Sequence, residues 1–272
     1  MQNVDNQILV GSPRIKKTLI VVVGVLFLIW VIFTPDGLLG KAGAVGYAVC
    51  HKISSRSFVI GDRPFPLCAR CSGMYLGALL GLIYQSILSW KSGLLPPRRV
   101  TIVLGVFVLI FVIDGMNSFL YLVPFDLALY TPKNLFRLIS GTGMGIVIAA
   151  AIYPVFHQTV WIDWVKKPSI PGIKSLFGLI GILFILIVGL YKGSFLVLYP
   201  LALISSAGVL ILLTVIYTVL WIILLKSENR YNLLNELTLP LTGGFGTAML
   251  QVIVFTIIRY TLTGTWNGFD YF

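Results

Sequence analysis

Long runs of apolar residues dominate the chain, and short polar stretches separate them. Seven such runs can be drawn, each close to the roughly 20 residues with which an α-helix crosses the hydrocarbon core of a bilayer. The pattern predicts an all-α fold, a polytopic transmembrane bundle of about seven spans with a Cys/His-bearing loop between spans one and two. The predicted spans cover residues 18–33, 73–90, 100–123, 135–157, 173–191, 195–225 and 237–262.

The composition is that of an integral membrane protein. Hydrophobic residues make up 58% of the chain, charged residues make up 11%, and the mean hydropathy is +0.97. The formal net charge is +11, but the Lys and Arg residues stand mainly in the loops between apolar runs. Contact with anionic lipid headgroups explains this charge, so membrane lipid is the expected partner and nucleic acid is not.

The whole chain, residues 1–272, is predicted to form a single integral membrane domain. The Cys/His loop takes residues 34–72, spans two to four take residues 73–157, and spans five to seven take residues 173–262. The first apolar run follows a basic polar stretch, and no small-residue cleavage site follows it. These features predict a retained helix and not a signal peptide.

The distribution of basic residues predicts the orientation of the bundle. With the N-terminus in the cytoplasm, eleven of the 20 Lys and Arg residues fall in cytoplasmic segments and nine on the other side. Five of those nine lie in the Cys/His loop, where function can require them, and without that loop the ratio is eleven to four. The positive-inside rule therefore favours a multi-pass cell-membrane protein with a cytoplasmic N-terminus and an extracytoplasmic Cys/His loop.

All three cysteines and one of the two histidines lie in a single stretch of the predicted first loop. Cys50 and His51 are followed by Cys68 and Cys71, whose spacing puts two thiolates on one tight turn. Together they form a full set of soft ligands for one tetrahedral metal ion, for which zinc is the expected cofactor. Both Cys50 and His51 can reach one ion only if the backbone turns there. If only one of them binds, an open position remains, which is typical of catalytic zinc.

Other interpretations of the cysteines stay open at this point. Cys68 and Cys71 could form a redox pair, with Cys50 as a resolving thiol that His51 activates. A disulfide or buried thiols could instead hold the loop in place without any chemistry. Covalent haem attachment is disfavoured, because Ser72 stands where a histidine would have to follow the cysteine pair.

A second group of polar residues interrupts the apolar segments. Asp114 lies about nine residues before the end of the third span, which puts it ~14 Å below the membrane face of the Cys/His loop. A carboxylate at that depth needs a partner, and Arg137 at the start of the fourth span is the nearest candidate. Asn117 lies one turn from Asp114, and Asn134 opens the fourth span on the same side. The group is either an ion pair that joins two helices or a functional polar pocket beneath the loop.

Glycines recur every four residues in two of the predicted spans. Gly73, Gly77 and Gly81 lie in the second span, and Gly141 and Gly145 lie in the fourth. Such stripes of small residues allow the backbones of two membrane helices to approach closely. We therefore expect spans two and four to be in direct contact beneath the Cys/His loop.

The residues around the cysteines resemble the signature of a known family. The positions that carry the resemblance are Cys50-His51, Arg56-Ser57-Phe58, Gly61, Pro66, Cys68-Ala69-Arg70-Cys71 and Gly73-Met74-Tyr75-Leu76-Gly77. This stretch is similar to the first motif of the prokaryotic membrane-protein family catalogued as domain of unknown function 2085. Its second motif resembles Asp114-Gly115, Asn134-Leu135-Phe136-Arg137 and Ser140-Gly141, so the resemblance covers about residues 45–148. The resemblance implies a polytopic membrane protein and carries over no reaction.

The leading hypothesis is a membrane protein whose Cys/His zinc site caps the polar pocket of spans three and four. If the protein is an enzyme, the expected chemistry is metal-assisted hydrolysis or group transfer on a lipid-like substrate. Asp114 or His51 would then move the proton. The residues expected to hold the substrate are Arg56, Asn117, Asn134 and Arg137. The alternatives are a membrane thiol–disulfide oxidoreductase, a transporter with a structural zinc loop and a purely structural subunit.

Overall fold

The computed structural model describes residues 13–122 and 128–268. Over these residues the chain is mostly helical, and seven of its helices are long and apolar enough to cross a membrane. The predicted fold class, a helical bundle with about seven spans, is therefore confirmed. Cys50 and Cys68 lie between the first and second of these spans, as predicted, and Cys71 lies in the first turn of the second span.

Seven long helices and one shorter helix follow each other along the described part of the chain. Their boundaries lie within a few residues of the predicted ones, although the predicted end of the third span, residue 123, lies outside the described residues. The helices are α1 (Pro13–Phe33), α2 (Gly37–Val49), α3 (Ala69–Leu88), α4 (Arg98–Leu120), α5 (Asn134–Val160), α6 (Ile173–Lys192), α7 (Phe195–Leu224) and α8 (Thr238–Thr263).

The predicted first loop is itself folded. After α2 comes a 3₁₀ turn (Ser54–Arg56), followed by an antiparallel hairpin of β1 (Ser57–Ile60) and β2 (Arg63–Cys68). Gly61 has a φ of +58° at the hairpin turn, a conformation that favours glycine. The sequence did not predict α2, because its 13 residues are too few to cross a bilayer and so give no span signal.

The two ends of the bundle differ. The end that carries α2 and the β1–β2 hairpin is termed the cysteine side, and the other end is termed the opposite side. On the opposite side, β3 (Ser92–Leu94) and β4 (Val165–Pro168) pair in parallel and join two connecting segments. Trp161, in the same connecting segment as β4, forms a single bridge with Tyr231 in the segment after α7. Because consecutive spans alternate in direction, the end of α4 and the start of α5 lie on the cysteine side.

The backbones of α3 and α5 touch through the two glycine stripes. A Cβ atom at Gly73 would lie 2.5 Å from the Leu138 carbonyl oxygen, and one at Gly77 would lie 2.8 Å from the Thr142 carbonyl oxygen. A Cβ at Gly141 would overlap the backbone of the first turn of α3. Since these distances leave room only for hydrogen, the predicted contact of spans two and four is confirmed.

The outer surface of the bundle is apolar. Ile87, Leu196 and Leu262 are exposed over 82%, 82% and 81% of their surface, and many other large apolar side chains also face outward. Such a surface is suited to hydrocarbon and not to water. The chain is therefore a multi-pass membrane protein.

Gly145→Ala is expected to destabilise the protein, because the added methyl group would overlap the backbone of α3 at Met74 and Ala78. We expect a loss of about 1–3 kcal/mol, seen as a lower unfolding midpoint in detergent. Gly105→Ala in α4 is the matched control, since nothing lies within 4 Å of its added Cβ. Equal stability of the two variants would show that α3 and α5 are not in close contact.

Candidate metal centre and polar cluster

Three different elements bring the cysteines together. Cys50 follows the last residue of α2, Cys68 ends β2, and Cys71 lies in the first turn of α3. Their sulfur atoms all lie within 4.8 Å of one another, and all three thiols are free. Cys50 and Cys68 are buried, whereas Cys71 is partly exposed. The three thiols thus form one compact group at the rim of the bundle.

The local backbone explains why Cys50 meets the other two cysteines. Gly46 lies against the Pro66 carbonyl with no room for a Cβ, so the last turn of α2 packs directly on β2. The helix then ends because Cys50 is extended, with φ −135° and ψ 145°. Its Sγ accepts a hydrogen bond from the backbone N–H of Cys68 at 3.3 Å. Cys68 and Cys71 lie on a strand-to-helix turn.

Arg259 of α8 holds the end of α2 in place. Its guanidinium donates hydrogen bonds to the carbonyl oxygens of Tyr47 at 2.7 Å, of Cys50, and of His51 at 3.1 Å. It also lies over the Tyr47 ring, 4.1 Å from the ring centroid. A cation is favourable at the C-terminal end of a helix, and hydrogen bonds from a charged donor are stronger than those between neutral groups. Arg259 is therefore a positioning residue for Cys50.

A cavity of about 330 Å³ opens beside the cysteines, between α2 and α8. Cys50, His51 and Tyr47 line it on the α2 side, and Ile258 and Leu262 line it on the α8 side. A small molecule or a lipid headgroup in this cavity can therefore reach the Cys50 residue.

The thiols differ in acidity. Hydrogen bonds from the Cys68 and Cys71 side chains hold the pKa of Cys50 well below its ordinary value. The pKa of Cys68 is raised to about 12, chiefly because its thiol donates to Cys50 and also because it is buried. Cys50 is therefore the more acidic of these two thiols in the metal-free group. Metal binding would release the thiol protons.

His51 lies beside the sulfur group but is not part of it. Its Nδ1 accepts a hydrogen bond from the Ile53 backbone N–H at 3.1 Å. Burial lowers the pKa of His51, and three nearby arginines lower it further, while Cys50 opposes this effect. A neutral ring with Nδ1 as acceptor carries its proton on Nε2. Ligation by His51 would require the loss of the Ile53 bond, and it stays a prediction.

Asp114 is paired with Arg70, and the prediction that Arg137 is its ion-pair partner is wrong. The Arg70 Nε donates to Asp114 Oδ2 at 3.0 Å, and Nη2 contacts the same oxygen and the Asp114 carbonyl. The hydroxyls of Ser140 and Tyr130 donate to Oδ2 and Oδ1, each at 2.9 Å. Asp114 is only 3% exposed. A carboxylate satisfied in this way joins α3, α4 and α5.

Asn117 and Arg56 bind backbone groups around this cluster. Asn117 donates to the Tyr130 carbonyl at 2.9 Å and accepts from two backbone N–H groups of the same segment. These bonds hold Tyr130 against Asp114. Arg56 donates from Nη2 to the Ser118 carbonyl oxygen at 3.2 Å, which joins the 3₁₀ turn before the hairpin to the end of α4.

Asn134 and Arg137 lie at the start of α5, on the cysteine side. The Asn134 amide donates to the Ser55 carbonyl at 3.3 Å, and its oxygen accepts from Arg137 Nη1 at 2.9 Å. Arg137 is 6% exposed, and its Nε makes no hydrogen bond within the described residues. A buried donor without an acceptor costs free energy, so Arg137 is suited to meet an anion.

Sequence reasoning did not assign Arg70, Tyr130, Ser140 and Arg259 to the site. The sequence does hold a signal for Arg70. This residue precedes Gly73 by three positions, about one helical turn, and so lies near the face of the second span that was predicted to contact the fourth span. Tyr130 and Arg259 have no such signal. They come from segments whose approach to the cysteines depends on the packing of the whole bundle.

Comparison with known proteins supports the family resemblance over the part of the chain that holds the site. Residues 50–151 match a family described as "Predicted membrane protein (DUF2085)", which confirms the resemblance indicated by the motifs. An uncharacterized protein of Methanocaldococcus jannaschii is 25% identical over 118 residues, which are 43% of this chain and 70% of that protein. An uncharacterized protein of Methanothermobacter thermautotrophicus is 37% identical over 43 residues, which are 16% of this chain and 39% of that protein. No solved structure matches the chain.

Asp114→Asn is expected to destabilise the protein by about 3–5 kcal/mol, because Arg70 would keep its charge in a buried site without a counter-charge. Unfolding of the detergent-solubilised protein measures this loss. The matched control is Asp163→Asn on the opposite side, which removes the partner of Lys91. The Asp163 side chain is 61% exposed, so the control should lose much less stability than Asp114→Asn.

Combining Arg70→Gln with Asp114→Asn should recover part of the stability that Asp114→Asn loses alone, since the unpaired charge is then gone. Strictly additive losses in the double variant would contradict a direct ion pair.

Proposed function

We propose that Cys50, Cys68 and Cys71 bind one zinc ion and that the protein uses it in hydrolysis or group transfer on a lipid-like, headgroup-bearing molecule. The observation that supports this function is the gathering of three free thiols within 4.8 Å. A tetrahedral zinc ion with Zn–S bonds of about 2.3 Å keeps its sulfurs about 3.8 Å apart, so the group needs only a slight contraction. Three protein ligands leave a fourth position for water or substrate. When bound, such an ion polarises an oxygen of the substrate or acidifies a water.

The charges around the thiols suit this function. Three thiolates and one divalent cation carry a net charge of −1, and the Arg70 guanidinium stands one residue from Cys71 in the chain. In the proposed site, Arg137 and Arg56 hold an anionic headgroup, and Asn134 orients the Arg137 side chain through their hydrogen bond.

Of the two groups that sequence suggests for proton transfer, His51 fits the proposal better. It lines the cavity that also contains Cys50, with its Nδ1 held by the Ile53 backbone. Asp114 is enclosed by its hydrogen-bond partners and is assigned a different task, to hold Arg70 in place. Asn117 in turn positions Tyr130 on Asp114.

A second candidate function is thiol–disulfide exchange, which the lowered pKa of Cys50 favours. The Cys50 thiolate would attack one sulfur of a substrate disulfide, form a mixed disulfide and displace one substrate thiolate. A second cysteine of the group would then attack the Cys50 sulfur and displace the other substrate thiolate. The substrate gains two electrons, and this protein is left with one disulfide.

The proposed orientation places the cysteine side outside the cytoplasm. Loops on the opposite side carry the basic residues Lys91, Lys166, Lys167, Lys226 and Arg230. Basic loops remain in the cytoplasm during membrane insertion, which supports this direction of the bundle.

Zinc analysis tests the proposed metal site. Purified protein should hold about one zinc per chain by plasma mass spectrometry, and Cys50→Ser, Cys68→Ser and Cys71→Ser should each lose it, because two thiolates hold zinc weakly. His51→Ala should retain the ion if the three thiolates are its protein ligands. Ser55→Ala, an exposed change in the same loop, is the control and should also retain it.

The two candidate functions differ in this measurement. Metal-free protein with three titratable thiols would contradict the zinc site. Metal-free protein with one thiol left after denaturation would instead support a disulfide and thiol exchange.

Labelling of introduced cysteines tests the orientation. Asp62 in the hairpin turn and Lys166 in β4 are both exposed. With a membrane-impermeant maleimide on intact cells, Asp62→Cys should be labelled above the level of unmodified protein, and Lys166→Cys should not. Labelling of Lys166→Cys alone would reverse the proposed orientation.

A further inference from the structure

A cavity of about 470 Å³ lies between α4, α5 and α6. Its walls are apolar and include Phe107 of α4, Ile139 of α5 and Val188 of α6. Ligand sites commonly enclose about 300–1,000 Å³, so the space is large enough for part of a ligand. A charged group in such surroundings would lose its hydration without replacement, so the occupant must be apolar here.

The cavity has the length of one bilayer leaflet. Along α6 its lining runs from Ile180 to Lys192, and along α5 it runs from Leu135 to Ile146. From Ile180 to Lys192, α6 advances by twelve residues, which is a length of about 18 Å. Half of the hydrocarbon core of a bilayer is about 15 Å thick. The cavity thus matches an extended acyl chain of the leaflet on the cysteine side.

Toward the opposite side, α6 packs closely against α4 and α5. There, Leu176 and Leu179 are buried in a cluster with Val100 and Leu104 of α4. Toward the cysteine side, Val188 of α6 lines the cavity and is 42% exposed. The cavity is therefore open to the surrounding lipid beside Val188.

At the membrane surface, the apolar cavity meets a polar one of about 620 Å³. The two share Leu135 and Tyr191, and the polar cavity is also lined by Lys133 and Asn134. Lys192 lines the apolar cavity at the same end. Both lysines are exposed, and the N-terminal end of α5 adds partial positive charge beside them. Positively charged groups are therefore concentrated at the membrane-surface end of the apolar cavity, where the headgroup of a lipid with its acyl chain in the cavity would lie.

We propose that this surface binds one anionic phospholipid of the leaflet on the cysteine side. One acyl chain occupies the apolar cavity, and the phosphate-bearing headgroup lies at Lys133, Lys192 and Asn134. The apolar cavity alone would accept the chain of any lipid, and the two lysines select an anionic headgroup. The site goes beyond the proposed function, because it contains none of the three proposed metal ligands and does not require bound metal. It shares only Asn134 with the proposed substrate site.

Native mass spectrometry tests the headgroup selection. Delipidated protein in neutral detergent is titrated with dioleoylphosphatidylglycerol or dioleoylphosphatidylcholine, and bound lipids are counted. We expect one phosphatidylglycerol to bind about tenfold or more tightly than phosphatidylcholine, since each nearby lysine favours an anionic lipid. Lys133→Gln combined with Lys192→Gln should remove this preference. Lys166→Gln combined with Lys167→Gln on the opposite side makes the same change in net charge and should leave the preference intact.

Equal binding of the two lipids by the unmodified protein would overturn the proposal. An equal loss of preference in both double variants would overturn it as well, because it would show attraction by net charge without a site.

Photo-crosslinking tests the position of the acyl chain in the unmodified protein. Phosphatidylglycerol with a diazirine on one acyl chain should label peptides of α4, α5 and α6 that line the cavity. Val188→Trp fills the cavity and should reduce this labelling severalfold. Val112→Trp on α4 is the matched control, since Val112 is 53% exposed and does not line the cavity. Labelling spread evenly over the outer faces of all helices would overturn the proposal, whether or not Val188→Trp folds.

Discussion

Backbone contact between α3 and α5 is the constraint on which the cysteine side of the molecule depends. Because Gly73 and Gly77 face the carbonyl oxygens of α5 without a side chain between them, the two helices begin side by side. Gly141 lies directly against the backbone of Arg70. From that place the Arg70 guanidinium reaches Asp114 in α4, and the next residue is Cys71. A single helix contact therefore links the thiol group to the buried carboxylate.

On the cysteine side, most of the charged groups inside the membrane have a hydrogen-bond or ion-pair partner. Asp114 would be costly in hydrocarbon alone, but Arg70, Tyr130 and Ser140 together satisfy its oxygens. Arg137 is buried nearby and has a donor without an acceptor in the described residues. The balance is therefore positive beside the thiols, which favours thiolates and anionic ligands. In the proposed function, this positive balance would link the metal–thiolate centre to a substrate with an anionic headgroup.

Features with a local signal could be predicted from the sequence. The spans follow from the length of apolar runs, the thiol group follows from the spacing of Cys68 and Cys71, and the contact of α3 with α5 follows from glycines four residues apart. The choice between Arg70 and Arg137 as partner of Asp114 has no local signal, because it depends on the rotation of three helices about their axes. The same holds for Arg259, which reaches the end of α2 only in the packed bundle. The fold of the first loop was missed because α2 and the hairpin are too short to stand out from a span-length pattern.

The proposed zinc site requires that Cys50, Cys68 and Cys71, which come from three separate elements, hold one metal ion. X-ray absorption at the zinc edge of the purified protein tests it most directly, because it reports the atoms bound to the ion. Three sulfur neighbours at about 2.3 Å and one lighter neighbour are the predicted result. Zinc bound only through nitrogen and oxygen, or through fewer than three sulfurs, would contradict the account.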